Sequence, residues 1–463
     1  MGLDFLAVAD QRRLLDEGAV SPVDLVEAAL ARIEEVQPRL NCFVHVWADE
    51  ARRRARELPV GHGPLHGVPV AIKDTTPWAG HPITLGSRTQ RDVVADRSAW
   101  VVERLLDAGA VIIGSTNTPE FAHASITDNR LWGATRNPWN LARTTGGSSG
   151  GAGAAVASGC VAVAEGSDMG GSVRIPAAWC GVVGLKPSLG RIPMDVLPGL
   201  WDSISHHGPL GRTVDDVRRF LDVTQGPSLR DPYSSLPAMS STSVDVRGQR
   251  VALSTDLGCW SVDPQIVDVV ERAARHLADA GLVIERTGPR FTPRDNALWL
   301  ELWGIFMSAY YGDLTDTQAA DMDTDVLALI DLGRSFSAVD GKRMEIERSG
   351  VWNRVAAVLE THDIIVCPTM SLPPGAATKS ENQRQYFIDD DGRYHGEDMT
   401  SVWNLVSPCP VISVPGGRHM GEEHDGLPIG VQIVGRPGAE DLVLAVAQVI
   451  EDQVGAPAWR PDI

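Results

Sequence analysis

The sequence predicts an α/β fold in which a mixed, mainly parallel β-sheet is sandwiched between layers of helices, with a helical segment at the N-terminus. Short apolar runs of strand length alternate with amphipathic stretches of helical length, and a glycine follows most of the predicted helices. The 463 residues would allow roughly two to four domains of average size. Because the alternation resumes after each irregular stretch, we expect a single domain over residues 1–463.

The N-terminal segment, residues 1–60, has the pattern of helices. Ser21 and Pro22 are typical of a helix N-cap and first helical position, apolar residues recur after them at helical spacing, and Pro38 is expected to end the helix. Residues 65–73 then form an apolar run rich in valine and isoleucine. That run predicts a buried strand.

Helices and strands alternate along the rest of the chain. Residues 98–108 form an amphipathic pattern closed by Gly109, and the apolar run 111–113 predicts a strand directly after it. Further helices are predicted at residues 152–158 and 263–280, and further strands at residues 161–164, 251–254, 282–284 and 364–367. Two stretches without periodicity, residues 227–248 and 373–396, are predicted to be surface loops, and the second is a candidate for lining a substrate entrance.

Composition and charge favour an enzyme that acts on small molecules. Lysine and arginine total 41 against 60 acidic residues, and the net charge of −19 disfavours binding to nucleic acid or to an anionic membrane. No targeting segment and no apolar stretch of membrane-spanning length is visible, and the six cysteines are scattered without metal-ligand spacing. We expect a cytoplasmic protein, and the sequence does not distinguish a monomer from a homodimer.

Lysine is rare in this chain. Only Lys73, Lys186, Lys342 and Lys379 occur, against 37 arginines. Arginine keeps its proton in proteins, whereas a desolvated lysine can lose it. Because Lys73 ends the apolar run 65–73, desolvation should lower its pKa and make it a candidate general base.

A glycine-rich tract at residues 144–151 contains four glycines and two serines. Such a composition is typical of backbone that has unusual dihedral angles or lies close to another group. The chain contains no Walker A pattern, and a dinucleotide-binding fingerprint starting at Gly151 fails at Val156. The tract also matches G-x-S-x-G, which would make Ser149 a nucleophile, although no histidine stands out as its base.

A second glycine-rich cluster occupies residues 166–176 and places Ser172 directly after two glycines. Glycines leave neighbouring backbone amides unobstructed, and unobstructed amides suit an oxyanion hole. A tight turn between a strand and a loop would have the same composition. The cluster alone therefore does not decide between the two interpretations.

Taken together, three motifs resemble the amidase signature family of serine hydrolases, which uses a Ser–cis-Ser–Lys triad. They are GVPVAIKD with Lys73, GGSSGG with Ser148 and GSDMGGSVRIP with Ser172. The resemblance is densest over residues 65–190, and it extends over residues 179–187, 208–214 and 426–432. Thr145 departs from the family pattern, in which proline usually precedes the glycine pair.

The resemblance implies a role for each motif. Ser172 would attack the substrate carbonyl, and Ser148, after a cis peptide bond, would connect it to Lys73 as the base. The oxyanion hole would consist of the backbone amides of Met169, Gly170, Gly171 and Ser172. The residues that would support this loop are Gly147, Ser149, Asp168 and Arg174. As an exposed ion pair, the last two would contribute under about 1 kcal/mol.

Residues beside the motifs are candidates for the substrate pocket. His123 and Ser125 lie in a region that lines the acyl pocket in relatives, and Trp132 and Trp179 lie next to motif segments. The candidates for substrate binding are therefore His123, Ser125, Trp132 and Trp179. His206 and His207 are adjacent, so their side chains should point apart, and with no third ligand nearby we predict no metal site.

These observations predict hydrolysis of a carboxylic amide C–N bond through an acyl-Ser172 intermediate, without a metal or cofactor. Residues 132–139 look most like those of stand-alone hydrolases of oligoamides and aryl amides, and aryl carbamates and esters are further candidate substrates. One alternative is the glutaminase subunit of a tRNA-dependent amidotransferase, whose members carry Asp-Gln where this chain has Ser205 and His206. The other is a non-catalytic binding module on the same fold, which the intact triad disfavours.

Overall fold

A computed structural model of the chain describes residues 2–239, 244–382 and 386–463. Its strands are β1 (Phe43–Val46), β2 (Pro69–Lys73), β3 (Val111–Thr116), β4 (Arg136–Asn137), β5 (Asn140–Thr144), β6 (Val163–Asp168), β7 (Val183–Lys186), β8 (His206–Gly211), β9 (Arg250–Leu253), β10 (Val283–Arg286), β11 (Ile364–Pro368), β12 (Val411–Arg418) and β13 (Pro428–Gly435). Eleven strands form one sheet in the spatial order β1-β3-β2-β6-β8-β7-β12-β13-β11-β9-β10, and β4 pairs with β5 separately.

The large sheet is mixed, and its parallel pairs fall into two blocks. Strands β3, β2 and β6 are parallel to one another in one half, and β11, β9 and β10 are parallel in the other half. The strands that connect the blocks, and β1 at the edge, pair antiparallel. The parallel blocks coincide with the stretches where strand and helix patterns alternate, because parallel neighbours need a long crossover, usually a helix.

Helices cover both faces of this sheet. They are α1 (Val8–Asp16), α2 (Pro22–Leu40), α3 (Ala48–Glu57), α4 (Trp100–Asp107), α5 (Gly150–Ala157), α6 (Arg174–Cys180), α7 (Val214–Thr224), α8 (Pro264–Asp279), α9 (Pro293–Tyr311), α10 (Thr315–Gln318), α11 (Thr324–Arg334), α12 (Ala338–Leu359), α13 (Val402–Leu405) and α14 (Glu440–Val454). Along β2, Val70 and Ile72 belong to the hydrophobic core on one face of the sheet, to which α4, α7, α8 and α14 contribute, whereas Ala71 belongs to the core on the opposite face, to which α2, α5 and α6 contribute. The predicted α/β fold, a mixed sheet between helix layers with helices at the N-terminus, is confirmed.

The start of α2 follows the sequence prediction, and its end does not. The Ser21 hydroxyl accepts a hydrogen bond from the amide of Asp24, whose carboxylate accepts one from the amide of Ser21, and Pro22 is the first helical residue. The helix continues past Pro38 to Leu40. A proline so close to the C-terminal end removes a single backbone donor, and the burial of the apolar face outweighs that loss.

The described parts of residues 227–248 and 373–396 contain none of the helices and strands named above. Residues 240–243 and 383–385, which belong to these two predicted loops, lie outside the described residues. No helix in the described part of the chain combines the length and the apolar character needed to cross a membrane.

Close packing at the start of α5 predicts a glycine-specific effect on stability. A Cβ atom at Gly151 would lie 2.4 Å from the backbone nitrogen of Asn117 and 2.5 Å from the backbone oxygen of Cys42. We expect Gly151→Ala to lower the free energy of unfolding by about 1–3 kcal/mol, since backbone atoms must move. Urea denaturation measures this, with Gly350→Ala as the control.

Gly350 lies inside α12, where a Cβ atom would meet no other atom within 4 Å. Because alanine is a better helix former, Gly350→Ala should raise the free energy of unfolding by up to about 1 kcal/mol. Equal unfolding free energies for the two variants would contradict the packing argument.

Candidate active site

Lys73 is the last residue of β2 and is fully buried. Its ammonium nitrogen Nζ lies 2.6 Å from Ser148 Oγ and 3.1 Å from Ser167 Oγ. Burial lowers the pKa of Lys73 to about 7, because desolvation disfavours the charged form more than nearby carboxylates favour it. The lowered pKa brings the neutral form of Lys73, which is able to accept a proton, within reach near neutral pH.

Ser148 precedes α5, and the peptide bond between Gly147 and Ser148 is cis, as the family resemblance implies. The neighbouring Ser149 points elsewhere. Its hydroxyl contacts the backbone of Ser167 at 3.3 Å, and its amide donates to the carbonyl oxygen of Ser172 at 3.0 Å. Ser149 is fully buried and packs against the backbone that carries Ser172, an arrangement that does not favour it as an exposed nucleophile.

Ser172 lies in the short loop between β6 and α6. Gly171 in this loop has φ +115°, and a Cβ atom there would lie 1.8 Å from Thr400 Oγ1, so only glycine fits. The Gly171 amide donates to Asp168 Oδ1 at 2.9 Å. It therefore holds the loop together, although the resemblance assigned it to the oxyanion hole. Within the described chain, the amides of the other three predicted members, Met169, Gly170 and Ser172, have no acceptor.

Arg174 anchors the same loop and is fully buried. Its guanidinium donates to both carboxylate oxygens of Asp168, at 2.9 and 3.0 Å. It also donates to Thr400 O, Gln432 Oε1 and Asn404 Oδ1, at 3.0, 2.9 and 2.7 Å. Burial alone would raise the pKa of Asp168, but the guanidinium holds it well below its ordinary value. Because both side chains are fully buried, they do not form an exposed ion pair.

Two cavities meet at Ser172. The first has about 680 Å³ of empty space, part of it open to solvent, and its mainly apolar walls include Met194, Val196, Leu197, Phe306 and Tyr311. The second has about 1110 Å³ of empty space, also partly open to solvent, and its walls include the aromatic residues Trp299 and Tyr394, the acidic residues Asp325 and Asp398, and Leu300. Ala122, Met169, Ser172 and Trp303 line both cavities.

An aromatic stack on α9 forms the wall between the cavities. The rings of Trp299 and Trp303 are stacked with centroids 6.1 Å apart, and Phe306 stacks on Trp303 at 5.0 Å. The indole nitrogen of Trp299 donates to the carbonyl oxygen of Met169 at 2.9 Å. This helix therefore shapes both cavities and also fixes the start of the Ser172 loop.

Two of the four predicted pocket residues lie at the site. His123 and Ser125 line the second cavity. Trp132 and Trp179 are not among the described residues that line either cavity, so their place in the substrate pocket stays a prediction. The indole of Trp132 donates to Thr84 and packs edge-on against His45. Trp179 lies on the buried face of α6, where its indole donates to the carbonyl oxygen of Leu372.

His123 belongs to the one group in the described chain with the spacing of a metal site, together with Asp323 and Asp325. The Lys379 ammonium lies among these residues, 3.0 Å from His123 Nε2 and in contact with Asp323. Burial lowers the pKa of His123 to about 3, and the neighbouring Lys379 charge acts in the same direction. The lysine thus supplies the positive charge that these two carboxylates need.

His206 and His207 point apart, as their adjacency predicts. His206 lies against the carbonyl oxygens of Asp168 and Ser407, and burial lowers its pKa well below the ordinary value. His207 lies against the carboxylate of Glu165. Sequence reasoning did not identify Glu165 or Ser167 as neighbours of Lys73, although both lie within three residues of the motif aspartate Asp168.

Comparison with known proteins agrees with this fold and geometry. Residues 24–444 match the protein family described as Amidase. An acylamidase of Rhodococcus erythropolis is 36% identical, covering 97% of this chain and 95% of its own. A glutamyl-tRNA(Gln) amidotransferase subunit of Symbiobacterium thermophilum is 34% identical, covering 96% and 95%. The crystal structure of a bacterial aryl acylamidase superposes with a TM-score of 0.90 at 30% identity, covering all of both chains.

The fold and the site thus define a hydrolase of carboxylic amides. The chain belongs to the amidase signature family, and it acts on C–N bonds other than peptide bonds.

Removing the charge of Asp168 tests the buried anchor of the Ser172 loop. Asp168→Asn leaves the Arg174 guanidinium buried without a counter-charge, so we expect the free energy of unfolding to fall by about 3–5 kcal/mol. Urea denaturation at neutral pH measures the change. The matched control is Asp245→Asn, which removes an exposed partner of Arg247 and should leave stability unchanged. A small effect of Asp168→Asn would contradict the anchoring role.

Proposed function

We propose that this amidase hydrolyses apolar and aryl amides through an acyl-enzyme on Ser172, with Ser148 and Lys73 as its proton relay. The observation that carries the proposal is the fully buried Lys73, with Nζ 2.6 Å from Ser148 Oγ, beside the point where two cavities meet at Ser172. Two serines and a desolvated lysine provide a nucleophile, a proton carrier and a base without any histidine.

In the acylation step, Ser172 Oγ attacks the amide carbonyl carbon. The hydroxyl proton of Ser172 passes to Ser148 Oγ as the Ser148 proton passes to Lys73 Nζ. The carbonyl oxygen becomes an oxyanion, which the amides of Met169, Gly170 and Ser172 can stabilise because none of them has an acceptor within the described chain. The step therefore ends with a tetrahedral intermediate and a Lys73 ammonium.

For the intermediate to collapse, the proton that Lys73 accepted must be transferred back. An amine is a poor leaving group unless its nitrogen is protonated as the C–N bond breaks. Lys73 returns the proton through Ser148 to the leaving nitrogen, and the amine departs. Water then attacks the acyl-Ser172 ester along the same route, and Ser172 regains its proton when the carboxylic acid is released.

The walls of the first cavity support an apolar substrate. Met194, Val196 and Leu197 line this cavity together with Trp303, Phe306 and Tyr311 of α9, and polar side chains such as Ser167 and Asp168 lie beside them. An aryl or alkyl group buried there gains about 25 cal/mol per Å² of apolar surface removed from water. Aryl carbamates present the same kind of carbonyl to Ser172, so we include them as substrates, and the likeness to an aryl acylamidase structure supports the aryl class.

The alternative function is that of a glutaminase subunit, which the similarity to a glutamyl-tRNA(Gln) amidotransferase favours. Free glutamine has little apolar surface to bury in the first cavity, and this chain has Ser205 and His206 where such subunits are expected to carry Asp-Gln. Activity of the purified chain on glutamine that appears only with a partner protein would support this alternative. Activity on anilides without any partner would exclude it.

Active-site labelling tests the nucleophile and the base. A fluorophosphonate probe should label Ser172 alone, and Ser172→Ala should lower kcat/KM for an anilide by several orders of magnitude. Lys73→Arg should be as inactive as Lys73→Ala, since arginine keeps its charge and does not accept a proton. Mass spectrometry and steady-state kinetics give the readouts. Labelling of Ser149, or an active Lys73→Arg variant, would contradict the assignment.

The relay role of Ser148 predicts a dependence on the leaving group. A matched anilide, aryl carbamate and activated aryl ester with one acyl group would be compared on the wild type and on Ser148→Ala. Because a phenoxide leaves without protonation, we expect Ser148→Ala to lower kcat for the anilide at least tenfold more than for the ester. Ser172→Ala, the control, should abolish hydrolysis of all three substrates. Equal losses on anilide and ester in Ser148→Ala would exclude the relay.

A further inference from the structure

Glu165 lies in the middle of β6, the strand that pairs with the β2 strand of Lys73, and its side chain is fully buried. Its carboxylate accepts three hydrogen bonds. The donors are the backbone amide of Lys73 at 2.9 Å, the hydroxyl of Thr76 at 2.9 Å and Nδ1 of His207 at 2.8 Å. The carboxylate is therefore held in place by β2, by the turn that follows it and by β8.

His207 contacts Glu165 through one ring nitrogen only. Its Nδ1 carries the proton donated to Glu165, whereas its Nε2 is buried and has no partner within the described chain. A second proton on Nε2 would be a buried donor without an acceptor, which is costly. No lysine or arginine of the described residues, Lys73 included, lies within ion-pair distance of Glu165, so its carboxylate contacts Lys73 through the backbone amide and acts on Nζ from beyond ion-pair distance.

The other charges around Lys73 are already compensated. Asp168 is paired with Arg174, and Asp74 receives hydrogen bonds from Thr84 and from the amide of Gly86. The charged groups that act on Lys73 are Glu165 and Asp168 on β6. The other titratable groups on the neighbouring elements are His206 and His207 on β8 and Asp74 directly after β2. Burial lowers the pKa of Lys73, and the carboxylates of Glu165 and Asp168 act in the opposite direction.

We propose that Glu165, oriented by His207, is a positioning residue that supplies the negative charge against which Lys73 becomes protonated when Ser172 attacks. The inference rests on the proposed function, because it concerns the proton that Lys73 receives through Ser148. An ammonium that forms in a fully buried site needs a carboxylate nearby. Without Glu165, Lys73 is a weaker base and less of the intermediate forms.

The pH dependence of hydrolysis tests this inference. Lys73 acts in its neutral form, so kcat/KM for an anilide rises with pH through the Lys73 pKa. Loss of the Glu165 charge disfavours the ammonium and lowers that pKa, so in Glu165→Gln the rising limb should move to lower pH by about one unit or more. The plateau value of kcat should fall at least tenfold. Glu165→Asp, which keeps the charge farther from Lys73, should lie between Glu165→Gln and the wild type.

A second measurement reads the Lys73 pKa without any substrate. Because the chain has only four lysines, protein labelled with [ε-¹³C]lysine gives few NMR resonances, and Lys73→Arg identifies the resonance of Lys73. The titration midpoint of that resonance should fall in Glu165→Gln. Glu451→Gln is the matched control, since Glu451 is also buried and accepts a backbone amide, but belongs to α14 away from Lys73. It should leave the midpoint unchanged.

Each outcome decides for or against the inference. His207→Asn keeps a donor for Glu165 and should leave the Lys73 titration midpoint unchanged. If the pH profile of kcat/KM lost its rising limb in this variant, His207 would be the base and the proposal would be overturned. A wild-type midpoint in Glu165→Gln would also overturn it. If Glu165→Gln does not fold, the proposal is overturned when the Lys73 midpoint in Glu165→Asp equals that of the wild type. Failure of the wild type to label at Ser172 would refute the proposed function, whereas the NMR comparison would still decide the role of Glu165.

Discussion

The buried ion pair between Asp168 and Arg174 is the interaction on which the rest of the site depends. Arg174 begins α6 and Asp168 ends β6, so the pair fixes both ends of the loop that carries Ser172. The planar guanidinium provides five donors in one rigid fork, and here it bonds two carboxylate oxygens, one carbonyl and two side-chain amides. A lysine could not make this set of contacts.

Two of the four lysines stand at buried positions where arginine would not serve. Lys73 and Lys186 are both fully buried. Lys186 Nζ donates to the backbone carbonyls of Cys409, Pro187 and Ser407, at 2.7, 3.3 and 3.3 Å, and burial lowers its pKa to about 7. Three carbonyls converging on one point suit a compact ammonium better than a planar guanidinium. The chain thus keeps lysine at two buried positions where the chemistry of the ammonium group is required.

Sequence reasoning predicted the fold class and the three motif residues because their signals are local. An apolar strand that ends in lysine and two glycine tracts are each readable within about ten residues. The partners of Arg174 were not readable, since Thr400 and Asn404 are more than 220 residues away along the chain and stand in no recognisable pattern. Trp132 was assigned to the pocket by proximity in sequence, but its indole faces Thr84 and His45. Proximity along the chain does not determine the direction of a side chain.

The contact between Arg174 and Gln432 also has a consequence for how the enzyme is made. Gln432 lies on β13, which is the last strand of the large sheet to emerge during synthesis. The Ser172 loop therefore remains without its complete set of anchors until β13 has left the ribosome. A nascent chain contains the serines and the lysine early, but it acquires a fixed nucleophile only when its C-terminal strands have joined the sheet.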